Sequence, residues 1–411
     1  MSAPFRAYEP DQTFLFPQSP REWLPADHLA FFVMDVVASL DLREILRHYD
    51  FKPVVDEHGR VVGESVKSGR GQPAYDPRMM TALLVYAYVT GTPCSRQIEK
   101  KCLEDVAFRV VSANQKPDHS TMAEFRKVHL KALAGLFLQV LKLCQKTGLV
   151  KLGHVALDGT KVKANASKHK AMSYGRMLQR EEELKQEIAE LLKRAEETDH
   201  AEDETYGKGK RGDELSQELA WRETRLVKIQ EAKAAVDHEH QVIVACEVTN
   251  PAADAPHLSS MVEQIETNTG ERPKDLSADA GYFSDQNVKG LETEGIDPYI
   301  AAERFKHGER PPEPQGPIPP DASRKEQMIR KLRTVAGRAA YALRKVTVEP
   351  VFGQIRTRGL VRFWMRGLQK VRDEWALWCT GHNLLKLFRN GGLIPCTTQE
   401  RRRASSPVSG P

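Results

Sequence analysis

LVKLGHVALDGTKVKANAS, residues 149–167, is where the character of the chain changes. Before it, apolar residues recur at helical spacing; after it, short β-branched runs alternate with helical ones. The stretch alternates and is rich in β-branched residues, which predicts a strand, a turn at Asp158-Gly159 and a second short strand. An aspartate followed by glycine suits an ordinary hairpin turn, and a carboxylate there can equally bind a metal.

Downstream, residues 172–238 are highly charged, with one apolar seam at Leu184, Ile188, Leu191 and Ala195 and another at Leu215, Leu219, Leu226, Ile229 and Val236. They predict an antiparallel helical hairpin inserted into a larger domain. That domain resumes with a strand at QVIVACEVTN, 241–250. A helix follows, with Asp254 as its cap and Gly270 as its stop, then a strand at PKDLSAD, 273–279, ending on Asp279. A helix beginning near Ser284, a strand at DPYIAA, a proline-rich loop at 307–321 and basic helical sequence at 324–358 come next. An amphipathic helix over 369–390 closes the domain, and residues 391–411 form a basic tail expected to be disordered.

With the hairpin set aside, the order is strand, strand, strand, helix, strand, helix, strand, then helices. That is the ribonuclease-H-like plan, an α/β fold with a mixed sheet and helices on both faces. Asp158 would end its first strand and Asp279 its fourth. Glu349, in VEPVFGQIR (348–356), would sit on a helix after the fifth. Upstream, an arm over 1–20 leads into an all-α domain over 21–148, with helices at 27–50, 77–91, 95–115 and 120–148 and a turn-rich segment at 54–76. Asp27, Ser95 and Ser120 stand where N-caps belong. These helices either present Arg96, Lys100, Lys101, Arg126 and Lys127 to a phosphate backbone or merely pack against the second domain. The second domain is expected to run from 149 to 390.

The 411 residues, 40% hydrophobic and 28% charged, make an ordinary soluble composition. No apolar run reaches the roughly 18 residues a bilayer requires, and the N-terminus lacks a signal-peptide pattern, so a cytoplasmic protein without membrane association is expected. The six cysteines form no CxxC pair and suggest neither a zinc site nor a disulfide framework. The net charge of +5 decides nothing, but Arg324–Arg372 is strongly basic, as suits a polyanion or a solvated face.

Glu349 lies among Arg344, Lys345, Arg356 and Arg358. It is either a surface ion-pair partner or the third ligand of a site with Asp158 and Asp279. Three converging carboxylates are hard oxygen ligands suited to Mg²⁺ or Mn²⁺. Two such ions can activate one oxygen nucleophile and stabilise the leaving oxygen in phosphodiester displacement. Taken singly, each acid is weak evidence.

The motifs DGTKVKANAS, PDHSTMAEFRK, ADAGYFS and VEPVFGQIR, spread over about residues 15 to 390, resemble those of bacterial insertion-sequence transposases of the DDE type. The resemblance implies a catalytic triad of Asp158, Asp279 and Glu349 that holds divalent metal, two Mg²⁺ or Mn²⁺ ions. It also implies double-stranded DNA as partner, at both element ends and target, a homodimer on that DNA, and a place at the nucleoid.

The family's glutamate signature corresponds here to Tyr341, Arg344, Glu349 and Arg356. The Arg344–Glu349 spacing is one residue longer than usual, and Lys345 fits the usual spacing. Pro350 is expected to kink the helix or restart it with Thr347 as cap, fixing Glu349 at a bend.

Lys161 and Lys163, with Arg344, Lys345 and Arg356, are the candidate DNA contacts, against a solvated-strand alternative for the two lysines. Asn165 either bonds phosphate or ends a strand. His119, His154 and His257 read as structural. Trp364, Trp375 and Trp378 read as core, although Trp364 beside Arg362 and Arg366 can stack on an unpaired base. Three functions follow: a transposase that cleaves and joins, a nuclease on the same fold that does not join, and a non-cleaving DNA-binding repressor.

Overall fold

Asp76 accepts the backbone N–H of Arg78 at 2.7 Å and Pro77 fills the first helical position, so a helix starts where the sequence requires one. This helix belongs to a computed structural model that describes residues 19–49, 51–55, 61–66, 74–163, 229–249, 254–303, 319 and 322–391. The N-terminal arm, most of the predicted hairpin, the body of the proline-rich loop, Asn165 and the basic tail lie outside the described residues. The chain divides into two compact units, Met1–Leu133 with Phe388–Pro411, and Ala134–Leu387.

The first unit contains α1 (Leu29–Ser39), α2 (Arg43–Leu46), α3 (Pro77–Val89), α4 (Ser95–Glu104), α5 (Val106–Val111) and the first half of α6 (His119–Lys146). α3 is its core helix: Met80, Leu83, Leu84, Val85, Tyr86, Ala87, Tyr88 and Val89 are all buried. The unit is not all-α. The turn-rich segment holds an antiparallel pair, β1 (Phe51–Val55) and β2 (Val61–Val66).

Caps also shift. His28, not Asp27, accepts the Ala30 N–H, and Asp118, not Ser120, accepts the N–H groups of Ser120 and Thr121. Cys94 rather than Ser95 precedes α4, without a side-chain cap. The expected phosphate-facing set loses Arg126, which is buried and donates to the Pro93 carbonyl at 2.7 Å. Among the described residues α6 alone has the length and apolarity of a membrane span, and 44% of its most apolar window is buried in the protein.

The second unit is built on a five-stranded mixed sheet in the order β5-β4-β3-β6-β7. Its strands are β3 (His154–Lys163), β4 (Ile229–Asp237), β5 (Ile243–Thr249), β6 (Asp275–Ala278) and β7 (Asp297–Ile300). β3, β4 and β5 run antiparallel; β6 and β7 run parallel to β3. Two expectations are corrected here. Residues 154–163 are one continuous strand, so Asp158-Gly159 is mid-strand and not a turn. The second strand is 229–237, assigned in sequence to the hairpin; Ile229 and Val236 therefore belong to the sheet.

Among the described residues the second half of α6 and the helices α7 (His257–Thr269), α8 (Asp285–Thr293), α9 (Arg324–Arg333), α10 (Val335–Thr357) and α11 (Leu368–Arg389) belong to this unit, α11 up to Leu387. Gly270 ends α7 in the left-handed conformation and Ser284 caps α8, both as the sequence predicts. Asp254 does not cap α7. The outer edge of β5 is covered by side chains: Asn383 bonds both backbone groups of Ile243, Asn268 donates to Val244 O, Gln264 accepts from Cys246 N and Arg372 donates to Val248 O. An uncovered edge would be a template for further strands.

α10 lies against β3, β4, β6 and β7. It is unbroken from Val335 to Thr357 with Pro350 inside, so Thr347 is not a cap and the helix does not restart. Proline at 350 removes the N–H that would have bonded the Val346 carbonyl. Gln241, in the β4–β5 turn at φ 56°, supplies the missing donor: its Nε2 reaches Val346 O at 2.8 Å. Thr347 Oγ1 meets His238 Nδ1 of the same turn at 2.7 Å. The helix thus tolerates its proline because the sheet compensates it.

If so, Gln241→Ala should lower unfolding free energy by about 1–3 kcal/mol in urea titrations. The loss should be smaller by about 1 kcal/mol in a Pro350→Ala background, where residue 350 regains its N–H. Equal losses in both backgrounds would show that Gln241 does not serve the proline.

Candidate active site

β3 carries Asp158 opposite Ala234 and Gly159 opposite Lys233, so the two neighbours face opposite sides of the sheet. β6 pairs Ala278 with Leu157, which puts Asp279, the next residue, beyond the strand end near Asp158. α10 crosses the Asp158 face and brings Arg344 and Glu349. Arg344 Nη1 meets Asp158 Oδ2 at 2.7 Å and its Nη2 meets Glu349 Oε1 at 3.3 Å. Two acids 191 residues apart along the chain thus share one guanidinium, and the charge of Asp279 also reaches it.

The electrostatics follow from burial. Asp158 is pushed up to about 6, chiefly by burial; Arg344 and the Gly159 N–H oppose the rise, and Asp279 and Glu349 add to it. Arg344 is itself largely buried, which disfavours its charge, but Asp158, Tyr341, Glu349 and Asp279 together hold it above the usual arginine value. Tyr341 lies beneath the guanidinium, its ring centroid 5.8 Å from Cζ. Asp279 accepts the Gly281 N–H at 3.0 Å and caps the short turn Ala280–Tyr282. Glu349 is the most open of the three, its side chain 48% exposed.

The basic candidates divide. Arg344 is committed to the acids. Arg356 bonds Thr160 Oγ1 and the Lys161 carbonyl, tying α10 to β3. Lys161, Lys163 and Lys345 are exposed, but Lys161 and Lys163 alternate with Gly159 onto the face of β3 opposite Asp158, with Lys161 across from Glu231. Nearby, Arg362 stacks on Trp364 at 4.6 Å, and the fully buried Glu374 accepts the N–H groups of Trp364 and Met365. Trp375 and Trp378 are core, as expected. His154 is buried against Ser277; His119 meets Glu99 at the start of α6, and His257 begins α7.

The donor set suits a hard divalent cation: three carboxylates of neighbouring charge. Among the described residues no three acidic, histidine or cysteine side chains yet converge closely enough to hold an ion. Asp158 Oδ2 and Glu349 Oε1 are at present paired with Arg344.

Sequence reasoning missed a second charged group. Lys233 is fully buried and pairs with Asp254 at 2.7 Å, and burial with Asp254's charge pushes Glu231 up to about 7. The signal was the period-two alternation of Glu231, Lys233, Ala235 and Asp237 against Ala232, Ala234 and Val236, which marks a strand.

Two family models match the chain: Transposase domain (DUF772) over residues 20–128, and Transposase DDE domain over residues 318–388. Together they support an insertion-sequence transposase of the DDE type. The second match includes Tyr341, Arg344, Glu349 and Arg356; Asp158 and Asp279 fall in neither. Comparisons with curated proteins and with solved structures find no match.

Because burial raises Asp158, the folded chain binds that proton more tightly than the unfolded chain does. The associated stability is complete below about pH 4 and is lost as pH rises through about 6. In chelator, unfolding free energy of the wild type should therefore fall relative to Asp158→Asn between about pH 4 and 7, by up to about 3 kcal/mol. Parallel pH profiles would show that Asp158 is not perturbed.

Proposed function

We propose that this chain cleaves DNA at the ends of its own mobile element and joins the freed 3′-hydroxyls to target DNA. Asp158, Asp279 and Glu349 act as the catalytic acids. The observation that carries the reading is the shared guanidinium: Arg344 bridges Asp158 and Glu349. The sheet order, three antiparallel strands followed by two parallel ones with Asp158 central, agrees with a ribonuclease-H-like catalytic domain. The two transposase matches support the same class.

Asp158, Asp279 and Glu349 would hold Mg²⁺ or Mn²⁺, which when bound activates the attacking oxygen and neutralises the leaving one. In the first step water attacks a phosphorus at the element end, and the 3′-oxygen leaves and takes up a proton. In the second, that 3′-hydroxyl attacks a target phosphorus and a target 3′-oxygen leaves. Lys345 supplies exposed positive charge for the DNA backbone, whereas Lys161 and Lys163 alternate with Gly159 onto the face of β3 away from Asp158. Arg344 and Arg356 join Lys345 once DNA competes for their present partners. The helical first unit would recognise terminal repeats, and two copies would pair the two ends. Such a protein works on cytoplasmic, nucleoid DNA.

Two other readings, a nuclease that cuts without joining and a repressor that binds repeats without cutting, predict different products.

A duplex carrying the element end, with Mg²⁺ and a target plasmid, separates the readings. The wild type should yield cleaved ends and joined plasmid. Asp158→Ala, Asp279→Ala and Glu349→Ala should each lose cleavage by about a thousandfold or more with DNA binding retained. Cleavage without joining indicates a nuclease; tight repeat binding without cleavage indicates the repressor. Cleavage that survives any of the three substitutions places the site elsewhere.

A further inference from the structure

Behind the catalytic face, on the other side of the sheet, lies a charged group that the reaction does not use. Lys233, Glu231 and Asp254 come from β4 and the segment before α7. Lys233 has no exposed surface, and its Nζ pairs with Asp254 Oδ1 at 2.7 Å and lies 5.0 Å from the Tyr282 ring centroid. A charge with no exposed surface needs a close partner, and removing one member of such a pair leaves the other uncompensated.

The two acids stand against particular glycines. A Cβ on Gly159 would lie 2.8 Å from Glu231 Oε1, and a Cβ on Gly281 would lie 2.5 Å from Asp254 Oδ2. Gly159 directly follows Asp158, and Gly281 follows Asp279 by two residues and donates its N–H to that carboxylate. Each candidate catalytic aspartate therefore has one member of the group seated on its adjoining backbone. Glu231 and Asp254 share a side-chain hydrogen bond, and Lys233 pairs with Asp254. Asn287 braces the same corner, donating to the Ala255 and Tyr282 carbonyls at 2.8 Å each. Trp375 holds the Lys233 carbonyl at 3.0 Å.

We propose that Glu231, Lys233 and Asp254 form a positioning bracket that sets the spacing of Asp158 and Asp279 from behind the sheet. They touch neither metal nor DNA. The bracket rests on the reading of Asp158 and Asp279 as metal-holding acids. Its purpose is to keep two acids on different strands at one separation against their mutual repulsion. Outer partners of this kind typically alter metal affinity by about tenfold to a hundredfold.

The test is Mn²⁺ binding to the full chain, read by electron paramagnetic resonance at matched folded fraction from circular dichroism. Lys233→Met should weaken Mn²⁺ binding about tenfold or more, and Glu231→Gln, which keeps the shape, should act in the same direction. Gly159→Ala, whose methyl displaces Glu231, should weaken it too, whereas Gly159→Ala with Glu231→Ala should bind no worse than Glu231→Ala alone. If Lys233→Met does not fold, Glu231→Gln and the glycine pair decide. Folded variants that bind Mn²⁺ as the wild type does, while Asp158→Ala loses it, would overturn the bracket and leave the site intact. Asp158→Ala binding Mn²⁺ like the wild type would overturn both.

Discussion

A carboxylate buried at mid-strand must be met by a cation or give up its charge, and at Asp158 the cation is Arg344. That contact determines the rest of the second unit. For Arg344 to reach Asp158, α10 must lie across β3 at one rotation and one height. Held there, it presents Glu349 to the other side of the same guanidinium and Arg356 to Thr160 and Lys161. Placing a cation between two acids also lets them sit together without metal.

The height of α10 is fixed from the sheet's far end. Pro350 would ordinarily weaken a helix, yet it follows directly after the glutamate that must be aimed. Gln241 makes this tolerable by donating to Val346, and the same side chain accepts from Lys386 and Gln354 while its carbonyl accepts from His382. One residue in a left-handed turn conformation thus ties β4, α10 and α11 into one rigid frame.

Features set by local chemistry were legible in the sequence. Asp279 at a strand end, Ser284 and Gly270 at helix ends, and the basic helical sequence at 324–358 are where pattern and turn chemistry put them. Features set by contacts across the chain were not. Asp158-Gly159 reads as a turn, because aspartate before glycine usually makes one; here the glycine is needed because Glu231 fills the space beside it. Residues 229–237 continue a helical-looking seam, and their alternation becomes informative only once they pair with β3. Thr347 reads as a cap because proline suggests a helix start; Gln241, about a hundred residues away, makes a cap unnecessary. Arg344 and Lys345 fit the glutamate signature comparably, and burial separates them: Arg344 is turned into the site and Lys345 out to solvent.

The account stands on Asp158, Asp279 and Glu349 sharing one cation site. Loading the chain with Fe²⁺ in place of Mg²⁺ and generating hydroxyl radicals from it would cut the polypeptide wherever the ion sits. Cuts at three places together, near residues 158, 279 and 349, all suppressed by excess Mg²⁺, are the predicted result. Cuts confined to one of these segments, or clustered elsewhere, would contradict it.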